Sequence, residues 1–212
     1  GLDGMRERIV RSGHAELADA AVSQRSLWLV ASRYEQKVQG GELGRYAHSK
    51  PPGTLLSYMA TERLSRPFAQ SETAEARRQA LNTVAALLWP FLSYLVLVPL
   101  YIVVARLATP GTALLACASY MVVPSTALIT LHTDQFLFPL LGMIGVWAGQ
   151  EAAVRRSLPV AVATGVWIWC TGFFTFPLLL LAPLVAAVMW GTREASAARG
   201  GELPLRRLLL LM

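Results

Sequence analysis

The string Tyr46-Ala47-His48-Ser49-Lys50-Pro51-Pro52-Gly53 carries the sharpest chemistry in this chain. Two consecutive prolines remove two backbone donors and fix an extended turn. A turn stiffened in this way holds His48 and Lys50 at a set height. Lys50 is a compact cation suited to a phosphate, and Arg45 is near enough to add a contact. His48 can donate to a phosphate or, when neutral, ligate a metal. The plainer reading is a Pro-Pro loop breaker with solvated neighbours, and spacing alone leaves both open.

Two acids stand out. Asp134 is the only acid between positions 76 and 150, flanked by His132, Thr133 and Gln135 where an apolar run ends. An acid at membrane depth is rare and defaults to a functional hypothesis; its alternative is an interfacial loop residue. Asp3 is the second, or else a terminal turn residue. Carboxylates from two loops could share one pocket, one deprotonating an acceptor hydroxyl while the other orients a metal or the acceptor. Arg77 and Arg78 sit where an apolar run begins, to reach a lipid phosphate or simply to snorkel. His14 reads as a solvated loop histidine, and Glu35 and Glu42 as surface charges. There is no Gly-rich nucleotide loop, no nucleophile elbow and no Cys/His cluster. Cys117 and Cys170 both lie in apolar runs, with no disulfide framework to read.

The elements that must position these residues are set by composition. The chain has 212 residues, 54% apolar and 15% charged, against about 25% charged in an average soluble domain. Residues 1–80 hold 12 of the 19 Lys and Arg and 9 of the 13 Asp and Glu. A polar front and a membrane-like back is the consequence. The net charge of +6 is therefore no nucleic-acid signal, because the later arginines fall in short loops between apolar runs. Residues 1–30 contain no signal peptide. The chain starts without Met and stops at Met212, at the end of the run Leu208–Leu211, which reads as an internal piece of a longer membrane protein.

Uncharged runs cover 79–105, 107–133, 135–150 and 157–192. The last has 36 residues, about 54 Å as one helix and too long for one crossing. Thr171-Gly172 and Pro177 divide it, giving expected spans at 157–173 and 175–192, with a truncated span from 208. Five crossings put Arg106, Arg155, Arg156 and Arg193 on one face, which the positive-inside bias makes cytoplasmic. The segment 1–78 and the Asp134 loop then lie outside. The expected fold is all-α, a polytopic membrane helix bundle with an N-terminal extracytoplasmic loop segment of short juxtamembrane helices. Part of 5–35 is expected at the interface, with Leu17, Ala21, Leu27 and Trp28 facing the membrane. Ser71–Glu75 predicts a helix cap with an acidic first turn. Trp147, Trp167, Trp169, Phe173, Phe174, Phe176 and Trp190 read as belt or lipid-facing aromatics.

His48-Ser49-Lys50-Pro51-Pro52 resembles the H-x-K-P-P signature in the first outer loop of polytopic GT-C glycosyltransferases, in the protein mannosyltransferase-like and aminoarabinose-transferase-like group. Ala76-Arg77-Arg78, leading into Leu81 and Ala85-Ala86-Leu87, is similar to that family's approach to its next span. Pro124, with Asp134 and then Phe136-Leu137-Phe138, is similar to its second outer loop. The resemblance covers roughly residues 33–150. It implies transfer of a sugar, with inversion, from a polyprenyl-phosphate-linked donor to an acceptor on the outer face. Lys50 would hold the donor phosphate, supported by His48, Arg45 and Arg78. Asp134 would be the acid of the second outer loop. The family's Asp-Glu pair after the first span is missing, and Asp3 is its best-placed substitute. Ser49 stands where some relatives carry a metal-binding Glu, so a divalent metal is an open cofactor with His48 as its candidate ligand. The competing reading is a polytopic transporter or flippase subunit for lipid-linked sugars. The Ala/Arg/Leu-rich composition leans toward a bacterial plasma membrane. The acceptor, whether protein, lipid or glycan, is not written in these residues.

Overall fold

Apolar runs punctuated by proline and glycine fold here as helices whose ends those residues mark. A computed structural model describes residues 4, 7, 14–123 and 133–198, apart from the side chains of 133–136, 196 and 198. All regular elements among the described residues are helical. The front half gives α1 (Ala15–Ser23), α2 (Leu27–Ser32), α3 (Tyr34–Gln39), a 3₁₀ turn at Tyr46–Ser49, and α4 (Pro52–Ser65). Pro52 opens α4 at its first position, where a missing N–H costs nothing. Thr73 caps α5 (Ala74–Ser93) by accepting the Ala76 amide at 3.3 Å, with Glu75 in the first turn, as the sequence predicts.

The next helix is longer than its uncharged run. α5 continues through a 3₁₀ turn at Tyr94–Val96 into α6 (Leu97–Leu107), giving 34 residues from Ala74 to Leu107. The tightened turn sits directly before Pro99, whose ring would crowd the carbonyl of residue 95 in a regular α-helix. Then come α7 (Pro110–Met121), α8 (Thr133–Arg155), α9 (Leu158–Thr171), a 3₁₀ stretch at Phe176–Leu180, and α10 (Leu181–Ala198). The break of 157–192 falls at Gly172–Thr175, where the sequence divides it. Among the described residues, three helical stretches are long and apolar enough to cross a membrane: 74–107, 137–155 and 176–195. They are the physical signature of a membrane protein. α9 is a shorter apolar helix of 14 residues. The expected span 107–133 is described only to Val123, and the one from 208 lies outside the described residues.

Two cores hold these helices. The first joins α1, α2 and α4 to α5 through Leu17, Val30, Leu55, Tyr58, Leu81 and Trp89. Leu17 and Ala21, expected to face the membrane, are fully buried in it, because α1 lies on α4 and α5. Trp28, by contrast, is 80% exposed. Thus the upper part of the 79–105 run is covered by protein, where Ala80, Leu81, Ala85 and Ala86 serve a head core. The second core is small, centred on Val103, Val146 and Val185, with α10 seated on α8 where Gly142 and Gly149 leave room for Leu181 and Val185. Around it Leu114, Leu115, Leu158, Trp169, Leu180 and Trp190 face outward.

Charge ties each end. Glu62, 1% exposed, accepts from Arg66 Nε at 3.0 Å and from Arg77, linking α4, the turn after it and the start of α5. The hydrogen bond to Glu62 raises the pKa of Arg66, keeping it charged. At the far end Arg106, 4% exposed, pairs with Glu151 at 2.7 Å and approaches Gln150, whose amide donates to the Val103 carbonyl at 3.0 Å. Arg106 is therefore an internal residue joining α6 to α8, whereas the sequence reading made it a loop cation. Arg77→Ala leaves Glu62 with the half-exposed Arg66 as its partner, so the head is expected to lose about 2 kcal/mol, less than a fully stranded buried charge would cost. Arg66→Ala, removing a half-exposed partner, should cost about 1 kcal/mol or less. Thermal unfolding of both variants in nanodiscs, followed by circular dichroism, measures the difference.

Candidate functional site

The Lys50 loop is built from both sides. Gly44, at φ +78°, turns the chain back against Glu16, leaving no room for a Cβ. Glu16 Oε2 then accepts the Tyr46 amide at 2.9 Å, anchoring the 3₁₀ turn to α1. From beneath, the Tyr34 hydroxyl lies 3.1 Å from the Ala47 carbonyl and 2.9 Å from the Lys50 carbonyl, donating to the pair. Burial pushes Tyr34 up to about 12, so its proton stays in place across the ordinary pH range. Pro51, at ψ 161°, leads the chain into α4.

Past the prolines the loop is fastened to the apolar helices. The Gly53 amide donates to the Phe173 carbonyl at 2.9 Å, and Thr54 Oγ1 donates to the Phe174 carbonyl at 3.2 Å. A Cβ on Gly53 would lie 2.7 Å from both the Phe173 oxygen and the Phe174 ring. Glycine is required there for close approach. Residues 50–54 therefore sit at the level of the turn between α9 and α10.

The cations differ in setting. Arg45 and His48 are exposed and Lys50 is half-buried, its Nζ 5.4 Å from the centroid of the Tyr46 ring. That ring is itself held, since the Tyr46 hydroxyl bonds His14 Nε2 at 3.1 Å. His14 is only 6% exposed, which corrects the expected solvated loop histidine: α1 carries it under the Tyr46 ring and near Tyr58. Three basic residues within six positions make a surface of positive potential on a pinned backbone. A phosphate group is the chemistry such a surface suits.

Arg78 stands differently. Its guanidinium pairs with Glu75 at 2.8 Å and Asp19 at 3.4 Å, so two carboxylates counter its charge. Asp19 lies one turn along α1 from Glu16, which links the Arg78 pair to the loop through α1. Arg77 goes to Glu62. Both arginines thus serve the head. Asp134 falls in the first turn of α8, three residues before Leu137, which packs against the head core. Its side chain lies outside the described residues, as does Asp3. Among the described residues no group of three His, Cys, Asp or Glu comes together that could hold a metal, and His48 is accompanied by cations.

The sequence reading missed the supports of the loop: Tyr34, Glu16, His14 and the Phe173–Phe174 turn. Phe173 and Phe174 read as belt aromatics, whereas it is their backbone that matters. Comparison of the chain with protein-family models, curated proteins and solved structures returns no match.

Two outcomes follow from the geometry. Gly53→Ala must push the loop off the α9–α10 turn, and faster proteolysis within residues 45–53, at near-wild-type helicity, is the expected readout. Tyr34 also sets an alkaline limit. Its folded pKa lies above the unfolded value of 10.0, so the contribution of Tyr34 to head stability is constant below pH 10 and falls as pH rises toward 12. Tyr34→Phe should flatten that fall in a pH series of circular dichroism melts.

Proposed function

We propose that this chain is part of a membrane glycosyltransferase of the GT-C type, moving a sugar from a polyprenyl-phosphate donor to an acceptor on the extracytoplasmic face of a bacterial plasma membrane. The observation that carries the reading is the docking of the Lys50 loop on the turn between two apolar helices through Gly53 and Phe173. A lipid-linked phosphate sits where hydrocarbon gives way to water, and a cation that recognises it must stand at that height.

In this reading Lys50 faces the donor phosphate, with His48 and Arg45 at the rim. The acceptor oxygen bonds to the anomeric carbon as the bond from that carbon to the phosphate oxygen breaks. The departing phosphate keeps the electron pair, and the nearby cations stabilise its charge. A carboxylate takes the acceptor proton. Asp134 is the candidate, because its helix begins beside the head that carries Lys50. Asp3 remains the alternative base, and Arg78 is demoted to a residue that steadies α1. The five-crossing topology belongs to the same proposal: α5–α6, α8 and α10 run away from the head, and α9 returns toward it.

The transporter alternative expects charged or polar groups at mid-membrane. In the described apolar helices the charged side chains lie near the ends, as Arg106, Glu151 and Arg155 do.

Binding of undecaprenyl phosphate to the full-length protein in nanodiscs tests the reading. Wild type should bind, Lys50→Ala should bind about tenfold or more weakly, a loss of about 1.4 kcal/mol, and Asp134→Asn should bind but not turn over a sugar-loaded donor. Equal binding by all three, or none by wild type, removes the lipid-phosphate mechanism, and transport into vesicles becomes the experiment.

A further inference from the structure

A concavity lies on the opposite side of α5 from the head core. It has a volume of about 600 Å³ and runs between the turn that follows α4 and the α5 stripe of Ala76, Gln79, Ala80, Thr83, Val84 and Leu87. That stripe repeats at three and four residues and is therefore one helix face. The other face, Leu81, Ala85 and Trp89, fills the core. Phe68 and Gln70 form the outer wall. The wall is set in place, because Arg66, at the start of the 3₁₀ turn Arg66–Phe68, is held by Glu62.

The lining contains no charged residue. Its polar groups are amides and a hydroxyl. The Gln79 amide nitrogen donates one N–H to Glu75 at 3.1 Å, and the Thr83 hydroxyl donates to the Gln79 backbone carbonyl at 2.8 Å. Gln79 keeps its amide oxygen and a second N–H, and Thr83 keeps an oxygen that accepts. Asn82 adds another: it lines the cavity at 5% exposure, and its Oδ1 is buried with no hydrogen-bond partner among the described residues. A buried acceptor left unmet is costly, and such an atom beside a cavity points to a ligand that supplies the missing donor. Beside the acceptors stand Phe68, 72% exposed, and Leu87, 61% exposed, which offer an apolar surface.

We propose that this cavity binds an uncharged sugar unit. A pyranose or furanose ring presents several O–H donors at its rim and a C–H face that lies against an aromatic or aliphatic side chain. That combination matches amide and hydroxyl groups set next to Phe68 and Leu87. An anionic ligand finds no cation in the lining, and a lipid chain would leave Asn82 unmet. The site is separate from the Lys50 loop, so the inference does not depend on the donor-phosphate reading. Where both hold, this is the place for a glycan acceptor.

Saturation-transfer NMR on the full-length protein in nanodiscs tests it, using methyl glycosides of glucose, galactose, mannose and arabinose as probes and glucose 6-phosphate as the charged control. At least one neutral glycoside should give a saturable signal that the phosphate does not compete away. Asn82→Leu should weaken it about tenfold, as expected when a site built for a hydroxyl loses its partner. Phe68→Ala alters an exposed wall residue and leaves the core intact, so it guards against a folding artefact and should weaken the same signal. Lys50→Ala should leave sugar binding unchanged, which separates this site from the phosphate loop. No saturable signal from any neutral glycoside, or full affinity in both cavity variants, overturns the proposal.

Discussion

One backbone hydrogen bond, from the Gly53 amide to the Phe173 carbonyl, joins two parts of the molecule that otherwise follow different solvents. The head is a conventional protein core of leucine, alanine, tyrosine and tryptophan. The helices beyond it have few internal apolar contacts and turn their large side chains outward. A glycine lets the two backbones meet at 2.9 Å. Any larger residue would separate them, and the basic loop would lose the reference that sets its height. The Pro-Pro pair before it and the Tyr34 hydroxyl beneath it limit the remaining freedom.

Charge follows the same division. Around the Lys50 loop, Arg45 and His48 are exposed and Lys50 lies half-buried beside the Tyr46 ring, on a backbone held by neutral groups and by Glu16. Elsewhere, cations are consumed internally: Arg77 on Glu62 in the head, Arg106 on Glu151 where α6 meets α8. Each internal pair is well shielded, so it fixes the relative position of two helices and is expensive to break. The arginines thus have two occupations, and burial separates them. Arg78, on carboxylates at the surface, lies between.

Local chemistry was legible in the sequence. The Thr73 cap, the stiff turn at Pro51-Pro52 and the break near Gly172 all come from residues acting on their own neighbours. Long-range pairing was not. Gly53 and Phe173 are 120 positions apart in sequence, and nothing local marks them as partners. His14 looked solvated because only the fold of α1 brings Tyr46 over it. Nothing local marks Glu62 as internal, since it is α5 that brings Arg77 to it. The stretch 79–89, which lies within a helix apolar enough to span, also serves the head core. Alanine and leucine suit a bilayer and a protein core equally well, so lack of charge could not say which would cover them. For the candidate site, the loop was readable as a motif, and its supports were not. The roles proposed for Asp3 and Asp134 rest on the family resemblance, and for Asp134 also on where α8 begins.

The helix from Ala74 to Leu107 contains 34 residues, about 51 Å of rod against a hydrocarbon layer of about 30 Å. In a membrane, the first turns of this helix, wrapped by the head core, would stand clear of the hydrocarbon while the rest crosses it. The head is tied to the apolar helices through the continuous α5–α6 rod, through Leu137 of α8 and through the Gly53–Phe173 and Thr54–Phe174 bonds. A change of bilayer thickness that moved those helices would carry the loop that bears Lys50 with them.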